Sequence, residues 1–349
     1  MKLCKVNNLA ENTVLARPVM TEDYQVLLAE GTVLKKEYIE KMKEFFIQEV
    51  YIEEEINLEE VVILKDETEV SFKNKVKDIL ERHTYQKNEE LIKLSQTADS
   101  IIIDILEEEK VIKKVYDIKQ RNADIYEHSV NICTLAILVA AKLNLSKQQI
   151  HDIGVGCLLH DLGIRYLSIN YDNKNIEELN NNERSEYKKH PVYGYSAIKN
   201  EMWLSDISKN IILYHHEKKN GSGYPLRASN ISVECEIVAV CDTFDELICG
   251  IGYKRLKVYE AVEYMKTYSS IYYNKDIVSI FLEFTAVYPI GSQVITNEGE
   301  LAVVIRQNNE FADRPVLKIV KDKNGNMITE DKIINLLEKH HIFIDKVLN

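Results

Sequence analysis

The sequence predicts a mainly α-helical protein, in which a helical bundle lies between a small N-terminal α/β domain and a small C-terminal β-rich appendage. Only 5 prolines and 12 glycines occur in 349 residues, and long stretches rich in Glu, Lys, Leu and Ile favour helices over strands. Hydrophobic residues make up 45% of the chain. A chain of this length and composition can build two or three packed domains.

The small N-terminal α/β domain is predicted over residues 1–55. Short apolar runs on either side of Gly31 indicate strands, and apolar side chains three and four residues apart indicate one amphipathic helix. The acidic run Glu53–Glu55 marks the boundary. We expect strands at Val14–Ala16, Val26–Leu28 and Val50–Ile52 and a helix at Lys35–Phe46.

Residues 56–117 are predicted to form a linker and a helical hairpin. Each of the two helices carries an apolar stripe, and no combination of residues in this segment indicates chemistry. We therefore expect a structural or dimerising role for it. The first stripe consists of Phe72, Val76, Ile79 and Leu80, and the second consists of Ile102, Ile105, Leu106 and Ile112.

The β-rich appendage is predicted over residues 288–349. Apolar runs alternate there with turn-forming residues, which is typical of hairpins. The expected elements are a hairpin of Val294–Thr296 and Ala302–Ile305, a strand at Val316–Val320, a turn at Asn324–Gly325 and a closing helix after Glu330.

Composition indicates the compartment in which the protein works and excludes some classes of partner. No apolar run approaches the roughly 18–20 residues of a membrane span, and the first residues lack the apolar core of a signal peptide, so we expect a cytoplasmic protein without membrane contact. The six cysteines show no CxxC spacing and are expected to be reduced, mostly buried and without a metal role. A net charge of −12 argues against duplex nucleic acid as a partner. A phosphate ligand would need local positive charge, for which bound metal ions are a source.

Residues 118–287 are predicted to form a metal-binding helical domain, because they hold six of the nine histidines. Asp124 lies four residues before His128 and so shares its helix face. A single histidine in a helix is usually a core or surface residue, and His151, which has no matching partner, is assigned to that class. The six are His128, His151, His160, His190, His215 and His216.

Together with Asp161 and Asp242, the other five histidines indicate a metal centre. Imidazole and carboxylate ligands suit divalent ions of intermediate to hard character, and no cysteine joins them at zinc-finger spacing. More than four ligands predict two or three ions. Such a centre, with ions about 3.5–4 Å apart, activates water and neutralises a transferring phosphoryl group.

In their order along the chain, these residues resemble the HD-GYP family, a branch of the HD phosphohydrolases. The resemblance runs over residues 118–270, and residues 1–55 resemble the small domain that often precedes this catalytic unit. It implies an HD-type helical bundle around a non-haem iron or manganese centre that hydrolyses cyclic di-GMP to the linear dinucleotide and sometimes to GMP. The matching strings are Tyr126–Asn131 (YEHSVN), Leu159–Gly163 (LHDLG), His190–Gly194 (HPVYG), His215–Pro225 (HHEKKNGSGYP) and Asp242–Asp245 (DTFD).

The resemblance also implies site residues. Asp161 would bridge two ions, and Asp124 stands where members with three metals carry a glutamate, so it would be a ligand of the third ion. The implied metal ligands are Asp124, His128, His160, Asp161, His190, His215, His216 and Asp242.

The resemblance implies the substrate contacts less directly than the metal ligands, because this chain lacks the usual basic residue at two positions. Ile164 stands where the family usually has a lysine, and Arg165 beside it is assigned to the phosphate. Ile251 stands where an arginine is usual, and Lys254 is assigned as its replacement. Asp161 and Arg165 are thus the predicted catalytic residues, and the predicted substrate contacts are Arg165, Gly223, Tyr224, Pro225, Asp245 and Lys254.

Two further hypotheses stay open beside a cyclic di-GMP phosphodiesterase. The chain could be a metal-loaded receptor that binds a cyclic dinucleotide without cleaving it, as the two departures at basic positions would allow. It could also act on another nucleotide. The expected partners are a cyclic dinucleotide, a second copy of the chain in a homodimer, and a signalling protein that contacts the Gly-Tyr-Pro loop.

Overall fold

The computed structural model describes most of the chain and divides it into two compact units, which are treated separately below. One unit is Met1–Glu59, Ile290–Arg306 and Arg314–Asn349, and the other is Glu60–Pro289 and Gln307–Asp313. The acidic run Glu53–Glu55 and Ile112 lie outside the described residues. Those residues are 2–21, 26–52, 60–83, 90–106, 113–118, 124–169, 178–309, 311–328 and 331–348.

The N-terminal part of the first unit combines one helix with two small antiparallel sheets. Its core contains Leu15, Leu34 and Met42, all fully buried. The predicted strand at Val14–Ala16 is wrong, because Val14 and Leu15 form only isolated bridges. The elements are β1 (Lys2–Lys5) paired with β4 (Glu49–Ile52), β2 (Val19–Met20) paired with β3 (Val26–Leu28), and α1 (Lys36–Glu44).

The C-terminal part of the first unit is a five-stranded antiparallel sheet in the order β8-β7-β6-β5-β9. The predicted hairpin is confirmed, but the predicted helix after Glu330 is wrong. The β-branched Ile333 and Ile334 suit an edge strand, and Ile334 pairs with Leu317. The strands are β5 (Gln293–Thr296), β6 (Leu301–Arg306), β7 (Val316–Lys321), β8 (Ile333–Asn335) and β9 (Ile344–Val347).

The second unit is helical and carries the predicted site. No helix among the described residues is both long and apolar enough to cross a bilayer. Its helices are α2 (Asp66–His83), α3 (Lys93–Leu106), α4 (Ile125–Lys142), α5 (Lys147–Leu159), α6 (Asn181–Tyr187), α7 (His190–Ile198), α8 (Asp206–Tyr214), α9 (Val233–Cys249), α10 (Val258–Tyr268) and α11 (Lys275–Glu283).

Helices α4 and α9 form the centre of this unit. Both are buried on nearly every side, which is why their sequences are apolar without a clear period. The predicted stripe of α2 is confirmed as buried, whereas α3 buries Ile101 and Ile105 and leaves Ile102 half-buried. The cysteines are free, and five of the six are buried.

Candidate metal centre

Seven of the eight predicted ligands come together where five helices of the bundle meet. His128 lies in the first turn of α4, His160 and Asp161 directly follow α5, and His190 begins α7. His215 and His216 directly follow α8, while Asp242 lies in the middle of α9. Burial of the apolar bundle therefore carries seven polar side chains inward, and the histidines at 128, 160, 190 and 215 are at most 1% exposed.

Asp161 lies between two groups of histidines and directs one oxygen toward each. Its Oδ2 is 3.3 Å from His160 Nε2 and 4.0 Å from His128 Nε2. Its Oδ1 is 3.3 Å from His190 Nε2 and 3.9 Å from His215 Nε2. A carboxylate placed in this way is suited to bridge two cations.

Asp242 is a second carboxylate whose two oxygens lie near different histidines. Its Oδ1 is 3.2 Å from His128 Nε2 and 3.8 Å from His160 Nε2, and its Oδ2 is 3.3 Å from His216 Nδ1. We call His128, His160, Asp161 Oδ2 and Asp242 Oδ1 the first metal position. The second metal position consists of Asp161 Oδ1, His190, His215 and His216, whose ligand atoms lie within 4.8 Å of one another.

Four of the histidines are held with Nε2 directed into the cluster. A carbonyl or carboxylate oxygen can only accept a hydrogen bond from the ring, so each of these Nδ1 atoms carries a proton, and Nε2 is the atom that can bind a metal when the ring is neutral. The acceptors are Asp245 for His128 (2.7 Å), the Cys157 carbonyl for His160 (2.7 Å), the Tyr187 carbonyl for His190 (2.8 Å) and the Ile212 carbonyl for His215 (3.1 Å).

Several ligand atoms lack partners, as expected for a cation site. Within the described part of the chain, His160 Nε2, Asp161 Oδ1 and both oxygens of Asp242 are buried without a hydrogen bond. The Nε2 atoms of His190 and His215 lie 3.1 Å apart, and two lone pairs at that distance repel. Unpaired buried polar groups are costly, so the donor set fits divalent cations that would satisfy all of these atoms.

The electrostatics of the cluster separate its histidines into two kinds. Burial lowers the pKa of His215 and His216 well below the usual value, and the neighbouring histidines add to this effect. Burial alone would also lower the pKa of His128, but the nearby carboxylate of Asp242 and the hydrogen-bonded carboxylate of Asp245 outweigh it and raise the pKa well above the usual value. Neutral imidazoles at His215 and His216 are ready to bind a cation.

The structure gives Asp124 and Asp245 places that differ from the predicted ones. Asp124 caps α4 by accepting hydrogen bonds from the backbone of Tyr126 and Glu127, and it pairs with Lys73 at 2.8 Å. It belongs to none of the groups that could hold a metal within the described residues, so we leave it out of the ligand set. Asp245 is fully buried beneath His128 and has no surface for substrate.

Three further residues named from the sequence, His151, Arg165 and Lys254, lie outside the cluster of ligands. His151 contacts Ser95 at 2.9 Å, outside the cluster as expected. Arg165 donates to the Tyr126 hydroxyl at 2.8 Å, close to the start of α4. Lys254 is exposed on the segment between α9 and α10. Arg165 is thus adjacent to the helix turn that carries His128, while Lys254 has no described contact that ties it to the site.

Gly163 allows two segments that carry metal ligands to pack closely against each other. It lies inside a short 3₁₀ helix, Leu162–Tyr166. A Cβ at Gly163 would collide with the His190 carbonyl and approach the Gly194 nitrogen to 2.6 Å. The glycine therefore allows the segment after Asp161 to pack against the start of α7, which brings Asp161 to His190.

The Gly-Tyr-Pro segment, Gly223–Pro225, covers one side of the cluster. The Tyr224 ring stacks on His216 with centroids 4.6 Å apart. A Cβ at Gly223 would lie 2.6 Å from the His216 carbonyl, so only glycine permits this approach. The buried Glu217 accepts a hydrogen bond from Leu226 N at 2.6 Å and fixes the end of the loop. An open groove of about 630 Å³ runs beside the segment.

Glu246 is a residue of the cluster that the sequence analysis missed. It is 2% exposed, and its carboxylate lies within 4.8 Å of ligand atoms of His216 and Asp242. Burial raises its pKa well above the usual value, and the charge of Asp242 adds to this. Its position four residues after Asp242 on one helix was the available signal.

Two family models match parts of the chain. The family model for the HD domain matches residues 109–277, which contain every histidine and aspartate of the cluster. A second family model, for a KOW domain associated with the HD domain, matches residues 293–349 and so covers the five-stranded sheet. Residues 109–277 thus match the HD domain, and they include the strings that resemble the HD-GYP family.

Two curated relatives and one solved structure are similar to the chain. The chain is 26% identical to the cyclic di-GMP phosphodiesterase PA4108 of Pseudomonas aeruginosa over 69% of this chain and 59% of that protein. It is also 26% identical to a cyclic di-GMP phosphodiesterase of Thermotoga maritima, over 68% of this chain and 67% of that protein. The HDG"Y"P protein Bd1817 of Bdellovibrio bacteriovorus has the same fold, with a TM-score of 0.52 at 19% identity over 80% of this chain and 97% of that one.

Proposed function

We propose that the chain is a metal-dependent phosphodiesterase that hydrolyses cyclic di-GMP to the linear dinucleotide, with GMP as a further product. The observation that carries this proposal is Asp161, whose two oxygens each lie 3.3 Å from a histidine of a different group. A carboxylate shared between two ligand sets is the central feature of centres that transfer phosphoryl groups with two metals. The names of two relatives support cyclic di-GMP as the substrate.

The proposed cofactors are two or more divalent ions, iron or manganese, held at the first and second metal positions. Mixed imidazole and carboxylate ligands are typical of these ions. When bound, they would lower the pKa of a coordinated water and offset the negative charge of the substrate phosphate. The net charge of −12 on the chain makes this local positive charge necessary for a doubly anionic substrate.

The residues around the cluster would orient the ligands and the substrate. Asp245 holds His128 in the tautomer that binds a metal. Arg165, fixed by its hydrogen bond to Tyr126, would donate to a non-bridging phosphate oxygen, for which a guanidinium is well suited. Tyr224, Gly223 and Pro225 would form the wall along which the dinucleotide enters. In the reaction, water adds to phosphorus, the bond to the 3′ oxygen breaks, and the proton passes to that oxygen.

The direct test is turnover by the anaerobically purified protein, loaded with Mn²⁺ or Fe²⁺ and supplied with cyclic di-GMP. Products separated by chromatography should be the linear dinucleotide and GMP. His160→Ala should abolish turnover and lower the metal content. His151→Ala is the matched control, because it removes a histidine of α5, the helix that His160 directly follows, and His151 lies outside the cluster. Absence of turnover with every divalent metal, in folded and metal-loaded protein, would refute the proposal.

A receptor that binds without cleaving is the second candidate. It is supported by the basic residues: Arg165 is already engaged by Tyr126, and Lys254 has no described contact near the cluster. Submicromolar binding of cyclic di-GMP by the metal-loaded protein, without product, would decide for this candidate. If the protein instead hydrolyses cyclic di-AMP or a mixed cyclic dinucleotide in preference to cyclic di-GMP, the proposed substrate would be wrong and the proposed reaction would still hold.

A further inference from the structure

Helix α9 directs a third carboxylate, Glu246, into the metal centre beside Asp242 and Asp245. The three residues are spaced i, i+3 and i+4, so they share one helix face. Asp245 is compensated by the proton on His128 Nδ1. Glu246 Oε2, in contrast, is buried without a hydrogen bond, and the carboxylate forms no ion pair with any residue that the structure describes.

The surroundings of Glu246 leave space for its carboxylate. Gly252 has a positive φ of 70°, and a Cβ there would lie 2.9 Å from Glu246 Oε1. The nearby Lys218 attracts the carboxylate but forms no ion pair with it, and its ammonium group lies over the Tyr272 ring, 4.3 Å from the centroid. Among the described residues, the Glu246 carboxylate therefore has no direct ion-pair partner.

Two ligand atoms face Glu246. His216 and Asp242 offer atoms that, with a Glu246 oxygen, all lie within 4.8 Å of one another. Asp242 Oδ1 belongs to the first metal position at 3.2 Å from His128 Nε2, while its Oδ2 lies 3.3 Å from His216 Nδ1. Asp242 thus divides its oxygens between two places, as Asp161 does, and the second of these places is the one that Glu246 completes.

We propose that Glu246, His216 and Asp242 form a third metal position that takes a divalent ion such as Mn²⁺ or Fe²⁺. One imidazole and two carboxylates are a donor set for such ions. A neutral imidazole has one lone pair for a metal, so a His216 that binds the third ion leaves the second position to Asp161, His190 and His215. The third position replaces the one that Asp124 would provide, since Asp124 is bound to Lys73 and to the backbone of α4. The inference rests on the metal centre of the proposed function and names the residue that extends it.

The test is a count of metal ions per chain, which does not require turnover. The full chain is purified anaerobically, loaded with Mn²⁺, freed of excess metal by gel filtration and measured by inductively coupled plasma mass spectrometry. We expect three ions in the wild type and two in Glu246→Gln. Glu217→Gln is the matched control, because it changes another buried glutamate that binds a loop backbone, and Asp124→Asn tests the alternative ligand; both should keep three ions.

Melting temperatures of wild type and Glu246→Gln, with and without Mn²⁺, provide a second test that does not depend on the metal count. Replacing a buried carboxyl group that lacks a partner by a neutral amide should stabilise the metal-free protein, so metal-free Glu246→Gln should melt higher than metal-free wild type and gain less on addition of Mn²⁺. Equal metal counts in wild type and Glu246→Gln, or a loss of the third ion in Asp124→Asn alone, would overturn the inference. Three ions without hydrolysis of any dinucleotide would overturn the proposed function and leave the third position standing.

Discussion

Asp245 accepts a hydrogen bond from His128 Nδ1 at 2.7 Å, and neither side chain is exposed to solvent. The bond fixes the ring so that Nε2 faces Asp242 at 3.2 Å. Asp245 therefore acts on the metal centre through His128 and is a positioning residue, although the sequence assigns it to the substrate.

We expect Asp245→Asn to weaken metal binding at the first position by about 10–100-fold, the usual effect of losing a carboxylate behind a metal-binding histidine. Isothermal titration with Mn²⁺ measures this change. Asp152→Asn is the control, since Asp152 is also a buried aspartate but contacts Gln148 at 2.9 Å on the far part of α5. Equal affinities in the two variants would contradict the positioning role.

Gly163 provides a second test of how the fold assembles the site. Gly163→Ala would place a methyl group against the His190 carbonyl, and inserting a methyl group into a packed site typically costs about 1–3 kcal/mol. Because the displaced segment carries Asp161, metal content should fall together with stability. Gly154→Ala is the control: its Cβ would meet Ala98 at 3.4 Å, and we expect stability to stay equal or rise by about 0.5–1 kcal/mol.

Asp124 offers a prediction that separates stability from metal binding. Asp124→Ala removes the cap of α4 and the pair with Lys73, and loss of a helix N-cap usually costs about 1 kcal/mol. Denaturant unfolding of the metal-loaded protein should show this loss, while the number of bound ions stays that of the wild type. A drop in metal content at unchanged stability would instead return Asp124 to the ligand set.

The sequence predicts the metal ligands better than it predicts the neighbouring carboxylates of α9. His128, His160 and Asp161 stand out because imidazoles and carboxylates recur at the ends of apolar helical runs. Asp245 and Glu246 do not, since one helix face can carry carboxylates toward solvent as readily as toward a metal. Only the burial of α9 on nearly every side decides between these orientations, and that burial depends on packing between distant segments.

A similar limit explains the two errors in the fold. Val14 and Leu15 have the composition of a strand but lack a neighbouring strand of sufficient length, so only isolated bridges form. Ile333 and Ile334 lie in a sequence that also suits a helix, and pairing with β7 draws them into the sheet. In both cases the partner in space, which local sequence does not specify, determines the element.

The metal-free protein should be most stable near the ordinary histidine pKa of 6.5. Against the effect of burial, Asp161 raises the pKa of His160, as Asp242 and Asp245 raise that of His128. A group whose pKa is higher in the folded state contributes stability that is complete below 6.5 and is lost as pH rises through the folded value. These two histidines therefore make the metal-free protein less stable on the alkaline side.

The remaining histidines act in the opposite direction. Burial lowers the folded-state pKa values of His190, His215 and His216, so the unfolded chain takes up protons first as pH falls below 6.5. Differential scanning fluorimetry in EDTA from pH 5 to 9 should thus give a maximum near the middle of this range. His128→Gln should flatten the alkaline decline while His151→Gln should keep it. A melting temperature that rises steadily to pH 9 in metal-free wild type would contradict the assigned direction of the His128 and His160 shifts.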